Sequence, residues 1–151
     1  MKSENYSDWS ANAASPRWMI VDDNEEILSL MREITAQFSG SEIVCFNSPQ
    51  AALAAFEAAP ENFELVITDY EMPGMNGLEL CRRLRAISPS AKIILATGSG
   101  LVSEEAAAHE GFCGLLHKPF PFAALQNILK SAGLGKFSES SFARPAVLAA
   151  A

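Results

Sequence analysis

Leu65-Val-Ile-Thr-Asp-Tyr-Glu-Met-Pro-Gly-Met-Asn-Gly77, LVITDYEMPGMNG, ends an apolar run on a carboxylate. Phe63 to Thr68 is rich in β-branched and large apolar residues and reads as a buried strand. Asp69 follows at once, and Pro73, Gly74 and Gly77 punctuate the loop beyond it. A core strand that stops on a charge raises the question of what else gathers around that charge.

On either side of this stretch, short apolar runs alternate with segments of helical period. That alternation is the signature of repeated βα units and a parallel sheet. Trp18 to Val21 reads as a first strand. A helix follows, capped near Asp23 or Asn24, with Ile27, Leu30, Met31, Ile34 and Phe38 on one stripe. Glu42 to Phe46 reads as the second strand. Ser48 before Pro49 marks a helix start that runs to a stop at Pro60. Leu78, Cys81, Leu84 and Ile87 mark the third helix, and Lys92 to Ala96 the fourth strand. An Ala-rich helix over Ser103 to His109, a short strand over Gly114 to Leu116 and a helix over Phe122 to Ser131 complete the pattern. The fold expected is α/β: a doubly wound five-stranded parallel sheet, flavodoxin-like with order 2-1-3-4-5, and helices on both faces. Its crossovers are right-handed.

The chain of 151 residues suffices for one domain with a proper core. Residues 1–16 read as a flexible leader in which Tyr6 and Trp9 are the groups able to dock. Residues 17–132 form the domain and 133–151 a tail. The net charge of −7 argues against a general nucleic-acid surface or an anionic membrane partner. No apolar run is long enough to cross a bilayer and the start lacks the design of a secretion signal, so the expected location is cytoplasmic. Cys45, Cys81 and Cys113 have no metal-type spacing and apolar neighbours in sequence, and read as buried free thiols.

In such sheets ligands sit at the carboxyl ends of the strands, beside a topological switch point. Those ends carry Asp22 and Asp23, Asp69, Thr97, and Lys118 with Pro119. Taken singly, Asp22 and Asp23 read as a helix cap, Asp69 as a turn residue, Thr97 as a strand-end hydroxyl and Lys118 as a solvated charge. Their joint placement at four strand ends favours one shared site. Unit charges about 4 Å apart at an effective dielectric near 20 interact by roughly 4 kcal/mol. Lys118 offsets part of the repulsion among three carboxylates, and a divalent cation resolves the rest. Oxygen-only ligands with room for water favour Mg²⁺.

The blocks WMIVDDNEE, LVITDYEMPGMNGLEL, IILATGSG and GLLHKPF, in that order and spacing over about residues 17–132, resemble the receiver domain of two-component response regulators. The resemblance implies that Asp69 takes a phosphoryl group from a histidine of a partner kinase or histidine phosphotransfer protein. It implies that Asp23, Asp69 and the main-chain carbonyl of Glu71 bind Mg²⁺ directly, and Asp22 through water. Lys118 would pair with Asp69 and then with the phosphoryl oxygens, and Thr97 would donate its hydroxyl to one of them. A cis Lys118–Pro119 bond is implied as well. The domain would catalyse its own phosphorylation and dephosphorylation while serving as a signalling switch.

Two departures stand out. The position three residues before the lysine, aromatic in the resembled family, is Leu115, which implies a muted or rerouted change on the face of the fourth helix, fifth strand and fifth helix. In the resembled family the positions held here by Glu71 and Ser99 tune acyl-phosphate lifetime, and these two residues leave that lifetime open.

His109, His117 and the Arg82, Arg83 and Arg85 face read as solvated surface. Two rival functions are a degenerate receiver acting only as a protein-binding module, and a small aspartate-nucleophile phosphatase with Glu71 as proton donor. The cognate kinase, the output partner, monomer against homodimer, and stand-alone regulator against receiver of a hybrid kinase stay open.

Overall fold

The computed structural model describes residues 16–136. The remainder of the expected leader and tail, with Tyr6 and Trp9, lies outside the described residues. In chain order the elements are β1 (Arg17–Val21), α1 (Glu25–Ala36), β2 (Ile43–Phe46), α2 (Pro49–Ala58), a 3₁₀ turn (Pro60–Asn62), β3 (Phe63–Thr68), α3 (Gly77–Ile87), β4 (Ile93–Thr97), α4 (Glu104–His109), β5 (Gly114–His117) and α5 (Phe122–Ser131).

The strands pair in parallel in the order β2-β1-β3-β4-β5. All five residues of β1 and of β4 are buried, as expected of inner strands covered on both faces. Alternation along each strand deals side chains to two cores. Trp18, Ile20, Leu65, Ile67, Ile94 and Leu116 pack against α1 and α5. Met19, Val21, Val66, Ile93, Leu95 and Leu115 pack against α2, α3 and α4.

Side-chain caps start the first four helices, α1 to α4. The Asn24 carboxamide accepts from the Glu26 and Ile27 N–H groups, and Glu25 and Glu26 lie in the first turn, where the helix dipole favours acids. Ser48, Asn76 and Ser103 cap α2, α3 and α4 in the same way. Past α5, Gly133 takes φ +75° and Leu134 returns to the core at 4% exposure. The Lys136 N–H then donates to the Phe38 carbonyl at 2.6 Å.

The expectation of three buried thiols is corrected. Cys81 is buried under α3, Cys45 is half-buried, and Cys113 is exposed. Cys113 immediately precedes β5, an edge strand, where apolar neighbours in sequence do not enclose a side chain. His109 and His117 are exposed, as are Arg82 and Arg83, whereas Arg85 is half-buried and donates to the Ala91 carbonyl at 2.8 Å. No helix among the described residues is long and apolar enough to cross a membrane.

Candidate functional site

The strand order fixes the site before any side chain is considered. β1 lies between β2 and β3, so consecutive strands β1 and β2 wind one way and β3 starts the winding in the other direction. The crevice at that reversal receives the residues that follow β1 and β3, and these are Asp22, Asp23 and Asp69. The last rungs of the ladder hold them there. The Asp69 N–H donates to the Val21 carbonyl at 2.9 Å, and the Asp22 N–H to the Phe46 carbonyl at 3.1 Å. One carboxylate oxygen from each of Asp22, Asp23 and Asp69 falls within 4.8 Å of the others.

Lys118 enters from the end of β5. Its N–H donates to the Thr97 carbonyl at 2.8 Å, and the Lys118–Pro119 peptide is cis. The ammonium reaches Asp22 Oδ2 at 2.7 Å and Asp69 Oδ1 at 3.3 Å, so its shorter bond is to the acid of β1. All three side chains of this bridge are largely shielded, with Lys118, Asp22 and Asp69 side chains 10%, 5% and 13% exposed. Asp22 is satisfied on both oxygens, because Oδ1 also accepts from the Asn24 N–H at 2.9 Å. Asp69 has the weaker share of the lysine. Burial pushes its carboxyl up from the ordinary range, the Lys118 ammonium pulls it back, Asp22 raises it, and the Tyr70 amide lowers it.

The remaining expected residues take distinct places. Thr97 closes β4, is 1% exposed, and its Oγ1 accepts from the Ser99 N–H at 3.0 Å, which leaves the hydroxyl proton to donate elsewhere. Glu71 is exposed on the loop after Asp69. Leu115 is 9% exposed and packs in the core on the α3 and α4 side of the sheet.

Two supports of Asp69 were not read from the sequence. Gly77 opens α3 directly against the Asp69 backbone: a Cβ there would lie 2.3 Å from the Asp69 carbonyl oxygen. The Gly77 N–H also donates to the Tyr70 carbonyl at 2.7 Å, closing the loop over Met72 to Met75. The Thr68 hydroxyl donates to the same Asp69 carbonyl at 2.9 Å. The glycine was visible as a loop signal, but its contact is a tertiary one. Nothing in the sequence distinguished Thr68 from an ordinary strand residue.

The chemistry of this donor set suits a hard divalent cation: three carboxylates, all oxygen, partly open through the exposed Asp23, and carrying one more negative charge than Lys118 and a single further positive charge would balance.

Comparisons with known proteins agree with the geometry. A family model described as the response regulator receiver domain matches residues 18–130. The C4-dicarboxylate transport transcriptional regulatory protein DctD of Rhizobium meliloti is 33% identical over 109 residues, covering 72% of this chain and 23% of that protein. The response regulator protein FleR of Pseudomonas aeruginosa is 32% identical over 131 residues, covering 86% of this chain and 27% of that protein. The chain therefore spans about a quarter of the length of these curated relatives. The response regulator protein TrrA of Thermotoga maritima, solved in complex with Mg²⁺ and BeF, superposes with a TM-score of 0.68 at 32% identity, covering 77% of this chain and 97% of that one. With the family model covering most of the chain and the strand order matching, this chain belongs to the response regulator receiver domain family.

Proposed function

We propose that this receiver domain accepts a phosphoryl group on Asp69 from a histidine phosphate of a partner kinase or phosphotransfer protein, in a Mg²⁺-dependent reaction. The observation that carries the reading is the convergence of Asp22, Asp23 and Asp69 within 4.8 Å, with Lys118 bridging two of them. In the step itself, an Asp69 carboxylate oxygen forms a bond to phosphorus as the P–N bond to the donor imidazole breaks, and the imidazole leaves with that electron pair. Such transfers ask mainly for positioning and charge stabilisation.

Asp23, Asp69 and the Glu71 carbonyl would hold the cation, with Asp22 acting through water. When bound, Mg²⁺ supplies neutralisation of the charge on the phosphoryl oxygens. Lys118 gives up part of its bond to Asp22 and Asp69 to meet those oxygens from the other side. The Thr97 hydroxyl, buried and with its proton free to donate, supplies a neutral donor from β4. Added charge of about −1.5 to −2, by analogy with phosphorylated hydroxyls, then biases two packings of the fold. With Leu115 in place of an aromatic, the change on the α4, β5 and α5 face is smaller than an aromatic side chain would give.

The test is mass spectrometry after incubation with acetyl phosphate and Mg²⁺. Gain of one phosphoryl group by the wild-type chain and none by Asp69→Asn is the expected result. No gain by the wild-type chain favours a module that binds partners without phosphorylation, and steady turnover of a generic phosphate ester favours a phosphatase.

A further inference from the structure

We infer that Thr68 is a positioning residue for Asp69, its buried hydroxyl fixing the orientation of the peptide group that joins Asp69 to Tyr70. The inference rests on the reading of Asp69 as the phosphoacceptor. Thr68 is the last residue of β3 and 0% exposed, between Val21 of β1 and Leu95 of β4 in register. A hydroxyl enclosed among such side chains is costly unless it is bonded. This one donates to the carbonyl oxygen of the next residue, Asp69, at 2.9 Å.

That peptide group needs an external hold. The sheet ladder ends one atom group earlier, at the bond from the Asp69 N–H to the Val21 carbonyl. Among the described residues, no backbone N–H donates to the Asp69 carbonyl. Gly77 limits it sterically on one side, and the Thr68 hydroxyl supplies the directional bond. The other end of the same planar group is the Tyr70 N–H, which favours the charged form of the Asp69 carboxylate. Turning this plane would therefore swing the Tyr70 amide away from the carboxylate it faces. A reaction governed by alignment responds to such a turn with a loss of rate rather than a loss of binding.

Three variants separate this role from packing. Thr68→Val keeps the shape and removes the hydroxyl, Thr68→Ser keeps the hydroxyl and removes a methyl, and Thr68→Ala removes both. Each is followed by the rate of phosphorylation by acetyl phosphate with Mg²⁺ and by the ¹⁹F NMR spectrum of the beryllofluoride adduct. The expected result is a rate about tenfold slower in Thr68→Val, with displaced ¹⁹F resonances, and a rate within about twofold of wild type in Thr68→Ser. Should Thr68→Val fail to fold by circular dichroism, Thr68→Ser against Thr68→Ala carries the test with the same ordering.

Equal rates and unchanged resonances in Thr68→Val overturn the inference. So does a Thr68→Ser rate as slow as that of the hydroxyl-free variants, which would assign the effect to lost volume. A wild-type chain that takes up neither phosphoryl nor beryllofluoride instead overturns the reading of Asp69, so the two failures are distinct.

Discussion

Replacing Gly77 with alanine tests how tightly the loop after Asp69 is built. The added Cβ would stand 2.3 Å from the Asp69 carbonyl oxygen and 3.1 Å from both the Asp69 carbonyl carbon and Leu95 Cδ1. The leucine methyl can swing aside. The carbonyl cannot do so cheaply, because the Thr68 hydroxyl holds it and the Gly77 N–H ties the helix start to Tyr70. Restoring ordinary contact requires the helix or the strand end to withdraw by roughly 1 Å. Overpacking of this kind costs about 1–3 kcal/mol. Alanine recovers about 0.4–1 kcal/mol by restricting the unfolded chain. The expected net loss is about 1–2 kcal/mol in urea unfolding followed by circular dichroism. Phosphorylation of Asp69 by acetyl phosphate should fall by up to about 100-fold, the scale of a 1 Å misplacement. Gly98→Ala is the matched control, since a Cβ at Gly98 meets nothing within 4 Å. Unfolding of Gly77→Ala within about 0.5 kcal/mol of wild type would refute the reasoning, as would an equal loss in Gly98→Ala.

Lys118→Met leaves Asp22 and Asp69 without their shared ammonium, and should cost about 3 kcal/mol in EDTA, the scale of a broken shielded ion pair. Millimolar Mg²⁺ should return more stability to this variant than to the wild type, and equal shifts in the two urea midpoints would contradict the assignment. Asp69, whose carboxyl is raised chiefly by burial, contributes its best stability below the ordinary carboxylate range and loses it as pH rises through the raised value. Asp69→Asn should therefore be more stable than wild type in metal-free urea melts at pH 7, and the difference should vanish once the pH falls below the ordinary carboxylate range. Pulse alkylation read by mass spectrometry should label the exposed Cys113 first. Cys81, with its thiol pushed up to about 11 by burial, should react only on unfolding.

What the sequence disclosed follows the strength of its local signals. β3 and α5 begin and end where they were read, because Pro60, Asp69, Pro121 and the glycines after Ser131 punctuate them. The Ser48-Pro49 start of α2 was equally legible. β2, β4 and β5 drift by one residue at polar ends. Thr97 joins β4 because its neighbour His117 extends β5 and the Lys118 N–H bonds its carbonyl, and both partners are distant in sequence. The acids of the site were legible because parallel strands deliver their last residues to one edge. The division of Lys118 between Asp22 and Asp69 was not, since it depends on side-chain reach across three strands. The Gly77 and Thr68 contacts with the Asp69 carbonyl were hidden for the same reason.

The bond from Lys136 to Phe38 has a practical consequence for anyone who wishes to handle this molecule. Phe38 precedes β2, so position 136 sits at the amino ends of the strands, as does Pro16 before β1. The acid cluster occupies the opposite pole. A fluorophore or a solid support attached at either of these two positions would sit on the underside and leave the reactive rim open to approach.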